Sequence, residues 1–305
     1  MLRGVIPPVD RLIGIGVLHR RLAAPAPHEH TCDNQSWEIS MSAEPTVRTD
    51  AFTFYALATL SFVESSVPEF VSTLNVMYAD DPEMRDWLRE TWLREEIEHG
   101  RLARTYIART WPEFDWQPAY EAFLVRYKPL CDVEYMRPSL ALEALSRCVI
   151  ETETAMIYRC LEAEMTDPEL KAMMRKLSSE EVGHYRYFRK TFDRYNAAER
   201  HGVIRRLHTI VKRSEMVRDE DISIAFEPLS DAAFWRGPKP FKEMTWQEFL
   251  DVSGDMMKRR MPVEAATRMM FKPLETGVWW RDKPTRALLS FMVKRQYPQL
   301  AGSDA

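Results

Sequence analysis

The stretch "WLREEIEHGRLARTYI", Trp92 to Ile107, has the charge density of a surface helix, yet Glu96 and His99 fall on the face that carries Trp92, Ala103 and Tyr106. Residues three apart on a helix are neighbours, about 5–6 Å between Cβ atoms, so this face offers an oxygen and a nitrogen to one point. One Glu-x-x-His is weak evidence, because short motifs arise by chance. The order recurs at "SSEEVGHYRYF", where Glu180, Glu181 and His184 repeat Glu-Glu-x-x-His, and the chain has no third Glu-x-x-His. The second helix face reads Leu170, Met174, Leu177, Glu181, His184 and Phe188.

The surroundings repeat as well. Asp81-Pro82-Glu83-Met84 precedes the first copy and Asp167-Pro168-Glu169-Leu170 the second. Each reads as a helix start, with Asp as N-cap, Pro in the first turn and Glu at the positive end of the helix dipole. Pro82 lies 14 residues before Glu96 and Pro168 lies 13 before Glu181. Further upstream, Leu57, Leu60, Glu64, Val67, Val71 and Leu74 step by three and four, which sets Glu64 in an apolar stripe. Ala144, Cys148, Glu151, Ala155 and Tyr158 do the same for Glu151. Glu64 stands 18 residues before Pro82 and Glu151 stands 17 before Pro168, so the repeat register favours Glu151 over its neighbour Glu153, which has a stripe of its own in Ile150 and Ile157.

Taken singly, a buried Glu is usually salt-bridged and a buried His usually hydrogen-bonded within the core. Four carboxylates on stripes that hold no Lys or Arg are different, because each buried charge without compensation costs several kcal/mol. Two divalent metal ions would offset them. Glu from each of two helices plus Glu-x-x-His from each of two others is the di-iron or di-manganese carboxylate pattern. The metal-ligand candidates are therefore Glu64, Glu96, His99, Glu151, Glu181 and His184, and the fold expected is all-α, a ferritin-like four-helix bundle with extra C-terminal helices.

Composition agrees. The chain has 305 residues, 45% of them hydrophobic, only 10 Gly, and no convincing alternating strand. A net charge of −4 gives no reason to expect nucleic acid binding. No apolar run approaches a membrane span, the stretch Leu12 to Leu18 being too short. Cys32, Cys131, Cys148 and Cys160 have no paired metal spacing and fit free thiols in a reducing, cytoplasmic setting.

Residues 51–200 are expected to form the metal-binding domain. Residues 1–50 are Pro-rich and almost free of acids before Glu29. A transit peptide is one reading; disorder upstream of a true start at Met41 is preferred, since no clear amphipathic pattern is present. The aromatic- and Pro-rich stretch Thr110 to Ser139 is long enough to cross the bundle, whereas the Tyr78–Asp81 link makes its helices antiparallel. Residues 201–305 read as a helical extension packed on the bundle. It includes a basic helical stretch at Ala197 to Arg213, a loop-like stretch from Phe226 to Lys242, a capping box at Thr245 and Glu248, and a last helix at about Thr285 to Arg295. Its Met256, Met257, Met269 and Met270 either fill gaps or wall an apolar substrate.

Trp92-x-x-Glu95-Glu96-x-x-His99-Gly100, followed by Leu102 and Tyr106-Ile107, resembles the soluble acyl-(acyl carrier protein) desaturases of the ferritin-like di-iron superfamily. Glu64, Pro68, Phe70 and Thr73-Leu74-Asn75 are similar to that family's first ligand helix. The resemblance spans residues 57–107, reduces to the ligand pattern around 148–190, and is absent from 1–50 and 206–305. It implies that the six candidates hold two iron ions, or a Mn/Fe pair, with Glu96 and Glu151 bridging. It also implies that Glu95 and Glu180 each orient the opposite histidine, Glu180 standing where the family has Asp, and that Trp92 lies near the electron path.

The resulting expectation is an O₂-dependent di-iron oxidase that desaturates a carrier-bound fatty acyl chain, with acyl carrier protein and a ferredoxin-type donor as partners and a homodimer as a candidate assembly. Carboxylate and imidazole ligands suit iron, and fewer than six per ion leave room for O₂. Ala144, Cys148 and Ala155 beside Glu151 are expected to leave space for the chain. Arg205-Arg206, Lys212-Arg213 and Lys258-Arg259-Arg260 are candidate docking surfaces for the acidic carrier. Hydroxylation or N-oxygenation of another substrate is the nearest alternative, because a metal site does not fix its substrate. Ferroxidase or rubrerythrin-like iron handling is the other, although the chain is long for a storage subunit and has no Cys-x-x-Cys.

Overall fold

Both expected helix starts are built as their sequences suggest. The Asp81 carboxylate accepts from the Met84 N–H at 3.1 Å, and the Asp167 carboxylate accepts from the Leu170 N–H at 2.9 Å. In a computed structural model of the chain, residues 45–131, Met136, residues 139–216 and residues 222–274 are described, and every regular element among them is helical. The α-helices are α1 (Pro45–Arg48), α2 (Ala51–Ser65), α3 (Val67–Met77), α4 (Pro82–Trp87), α5 (Leu93–Thr110), α6 (Trp116–Tyr127), α7 (Leu140–Glu164), α8 (Pro168–Glu199), α9 (Val203–Met216), α10 (Ser223–Phe226), α11 (Trp246–Arg260) and α12 (Val263–Phe271). No described helix is long and apolar enough to cross a membrane.

The packing follows the stripes. α2 lies along α5, α7 lies along α8, and α5 meets α8. Trp92, Glu96, His99, Ala103 and Tyr106 are all buried, as are Leu170, Met174, Leu177, Glu181, His184 and Phe188. α9, α11 and α12 cover α7. At one end the Phe54 ring lies 5.2 Å from Trp111, 4.9 Å from Trp235 and 5.1 Å from Phe241, an aromatic cluster that holds α2 to the later segments.

Three segments differ from the sequence reading. Residues 45–50 belong to the folded unit: Asp50 caps α2 by accepting from the Phe52 N–H at 3.0 Å, and Trp111 Nε1 donates to the Arg48 carbonyl at 3.0 Å. The connection after Thr110 contains α6, whose Trp116, Ala119, Phe123 and Tyr127 form a buried stripe. The stretch from Phe226 to Lys242, expected as loop, sends Phe226, Leu229, Trp235 and Phe241 into the core. The Thr245/Glu248 capping box is formed, with Thr245 N–H to Glu248 at 2.7 Å and Glu248 N–H to Thr245 Oγ1 at 3.2 Å. The segment upstream of Pro45, with Cys32 and Met41, and the expected helix at Thr285 to Arg295 lie outside the described residues.

Candidate metal centre

The four stripes bring all six candidate ligands to one buried place. Two groups of ligand atoms form there, each with all its atoms within 4.8 Å of one another: Glu64, Glu96, His99 and Glu181 in one, and Glu96, Glu151, Glu181 and His184 in the other. The His99 Nδ1 faces Glu96 at 3.5 Å, Glu181 at 3.2 Å and Glu64 at 3.9 Å. The His184 Nδ1 faces Glu96 at 3.2 Å, Glu181 at 3.3 Å and Glu151 at 3.5 Å. The carboxylates common to both groups are thus Glu96 and Glu181, not Glu96 and Glu151 as the resemblance implied. The reason is positional: Glu96 and Glu181 come from the facing helices α5 and α8, while Glu64 and Glu151 approach from opposite sides.

Local backbone features put these side chains in register. The first unit has one extra residue on each side of its cap. One is absorbed by the link, Tyr78–Asp81 against Met165–Asp167. The other is absorbed by a π-helical turn at Leu88–Trp92, where the Leu93 N–H reaches the Leu88 carbonyl five residues back. Glu96 therefore faces inward at 14 residues from its Pro, as Glu181 does at 13. Just after Glu64, Pro68 has no N–H to continue the helix, and the Ser66 N–H turns back to the Val63 carbonyl at 3.0 Å. Gly100 permits close approach of α5 to α2, because a Cβ there would lie 2.9 Å from the Ser65 backbone nitrogen.

Each imidazole presents Nδ1 to the cluster and Nε2 to an acid on the opposite helix. His99 Nε2 lies 2.9 Å from Glu180, and His184 Nε2 lies 2.8 Å from Glu95. Glu95 and Glu180 are where the resemblance implied, and such acids fix ring orientation and tautomer at metal sites. Lys176 also donates to Glu180, at 2.5 Å. His99 and Lys176 together pull the Glu180 carboxyl down to about 2. Burial works against a charged His99, yet the hydrogen bond to Glu180 and the nearby carboxylates of Glu181 and Glu96 push its pKa up to about 12. Burial raises Glu64 and Glu151 well above the usual carboxylate range, with Glu96 adding to the first and Glu181 to the second. Protons thus compensate the clustered charge wherever metal does not.

Two contacts are not evident in the sequence. Tyr158, which reads there as a stripe residue, donates its hydroxyl to Glu64. Trp87 stacks on Tyr187 at 3.8 Å and meets the His184 ring edge-on at 6.2 Å, which places it, rather than Trp92, against a ligand imidazole. A signal exists, since Trp87 follows Pro82 in the same helix, but the π turn shifts the phase between Trp87 and Glu96.

The residues fit a pair of divalent ions. His99 Nδ1 and Glu181 Oε1 are buried without a hydrogen-bond partner, and both point into the cluster where an ion would take them up. Four carboxylates with neutral imidazoles carry the charge that two divalent cations neutralise.

Two cavities adjoin the centre. One of about 130 Å³ is walled by α2, α7 and α11, with Phe52, Leu60, Ile157, Trp246, Phe249 and Met257 among its mostly apolar lining, and it reaches Glu64. Glu153 stands in this wall and outside both ligand groups; burial pushes its carboxyl up to about 7. The Ile150–Glu153–Ile157 stripe is thus a cavity wall. Ala144, Cys148 and Ala155, expected to make room for a chain, are buried in packing and line neither cavity. A second cavity, of about 70 Å³, is lined by Glu64, Glu96, Glu151 and Glu181 together with Trp92, Arg147 and Arg213.

Two of the basic clusters are not the open surfaces expected of them. Arg206 is buried and donates to the Pro273 carbonyl at 2.8 Å, and Arg213 is buried at the second cavity. Arg259 and Arg260 are exposed and pair with Glu164 at 2.7 and 2.9 Å. No family model matches the sequence, and searches of curated proteins and of solved structures find no match.

Proposed function

We propose that the protein is an O₂-dependent di-iron oxidase of the ferritin-like class, acting on an apolar chain held between α2, α7 and α11. The observation that carries this reading is the adjacency of the cavity to the cluster: Glu64 belongs to a ligand group and also lines the apolar cavity. Two iron ions bound by Glu64, Glu96, His99, Glu151, Glu181 and His184 would supply O₂ reduction and C–H oxidation.

The protein's own residues set the conditions. Glu95 and Glu180 hold the histidine rings with Nδ1 inward. The Tyr158 hydroxyl supports Glu64 from α7. Phe249, Met256 and Met257 of α11 exclude water from the chain, which gives the C-terminal helices the role of a substrate wall. An iron-handling protein has no use for such a wall beside its ligands.

The resemblance makes a carrier-bound fatty acyl chain the first substrate to assay. In desaturation the chain gives up two hydrogen atoms, and O₂ takes them with two electrons from a ferredoxin-type donor and two protons to form two waters. The assay combines iron-loaded protein, O₂, ferredoxin with its reductase, and palmitoyl or stearoyl carrier protein, or the free acids, with mass spectrometry of the products. An oxidised chain is the expected result. Oxidation of added Fe²⁺ alone, with no altered chain of any length, would overturn the reading in favour of iron handling.

A further inference from the structure

The apolar cavity beside Glu64 is small, and its size limits what it can take. Its space is about 130 Å³, walled by α2, α7 and α11. An apolar cavity of about 150 Å³ in a protein core takes up benzene, so this one has room for about six carbon atoms. A palmitoyl or stearoyl chain is far larger.

The limit has a structural cause. Phe52 stands in the first turn of α2 and Glu64 in its last, so within the lining Phe52 lies at the end remote from the ligands. Its ring centre is 5.8 Å from that of Phe249 on α11, and both residues line the cavity. Phe52 also lines a neighbouring cavity of about 170 Å³ at the starts of α2 and α8, whose wall includes Asp50, Thr53, Glu164 and Asp167. The three carboxylates there are engaged: Asp50 and Asp167 cap their helices, and Glu164 pairs with Arg259 and Arg260. Phe52 thus stands between an apolar space that reaches Glu64 and a space whose wall carries charge.

We propose that the site takes a short hydrocarbon unit of about six carbon atoms rather than a long acyl chain, and that Phe52 sets this limit as the end wall of the cavity. This rests on the oxidase reading and deepens it by naming the size of the substrate. Removing the ring would add its vacated space to the cavity and lengthen the chain accepted. The backbone N–H of Phe52, not its side chain, donates to Asp50, so the cap of α2 survives substitution.

The test titrates 1-alkanols from butanol to decanol into the full chain, loaded with redox-inert zinc, by isothermal titration calorimetry. The hydroxyl is common to the series, so successive ratios of affinity report the burial of each added CH₂. A buried CH₂ strengthens binding about fourfold, and one left in water does not change it. In the unaltered protein the rise is expected to stop near hexanol. In Phe52→Ala and Phe52→Leu it is expected to continue to longer alcohols, further in the first than in the second, and in Phe52→Trp to stop earlier. Thermal melting shows which variants are folded, and the milder Phe52→Leu decides the matter where Phe52→Ala is not. A rise that persists to decanol in the unaltered protein would overturn the proposal, as would a limit unmoved in the folded variants, or binding of no alkanol.

Metal analysis of the same samples keeps the two readings apart. Metal bound without a chain-length limit removes this proposal and leaves the oxidase reading standing. A limit without metal supports the end wall and removes the oxidase reading; absence of both removes both.

Discussion

At the scale of single residues, Gly100 is the most sensitive position outside the ligands. An added methyl would press on the Ser65 backbone and hydroxyl, next to Glu64, and rigid backbone leaves no flexible side chain to move aside. Gly100→Ala is therefore expected to lower stability by about 1–3 kcal/mol and to weaken metal retention by moving α5 from α2. Thermal melting and elemental analysis of the purified variant check both. An unchanged melting temperature would mean that the two helices are not in close contact there. The ligand residues themselves were legible in the sequence, because a carboxylate on an apolar helical stripe violates the pattern around it. Their sharing was not: which two glutamates serve both groups depends on which helices face each other, and stripes do not encode that. Tyr158 was hidden for the opposite reason, since a tyrosine on an apolar stripe looks like core.

Among the elements, the π turn at Leu88–Trp92 accounts for the one-residue difference between the two units. An inserted residue in a regular helix would rotate the downstream turns by about 100° and carry Glu96 and His99 off the centre. Deleting Glu90, which is exposed, should turn the π turn into ordinary α-helix and keep both flanks in phase. The deletion variant is expected to fold and to retain metal. Deleting the exposed Arg175 from the regular helix α8 is expected to remove metal, because it rotates Leu170 against Glu181 and His184. Metal content of the two variants decides the matter, and loss of metal from both would deny the π turn this role. The sequence carried the 14-against-13 spacing but not its resolution. α6 escaped notice for a related reason: its Pro118 and clustered aromatics read as connection, although Trp116, Ala119, Phe123 and Tyr127 keep helical spacing.

For the whole molecule, the later helices are what set an apolar wall beside the candidate metal cluster. Trp246, Phe249, Met256 and Met257 of α11 close a cavity that α2 and α7 alone would leave open to water. The sequence left these helices undecided between gap-filling and walling a substrate, because methionine and aromatic residues suit both; that α11 and Glu64 line one apolar cavity is visible only in the fold. Arg206 and Arg213 were illegible likewise: a basic pair on a helix looks solvated until the neighbour that buries it is known. Everything proposed for the molecule nonetheless depends on two ions occupying the cluster of Glu64, Glu96, His99, Glu151, Glu181 and His184. Elemental analysis of iron-loaded protein, alongside Glu96→Ala and His184→Ala variants whose helicity is checked by circular dichroism, tests this directly. The account expects about two iron ions per chain and loss of most of them in both helical variants; iron equally retained in the variants, or absent from the unaltered protein, would contradict it.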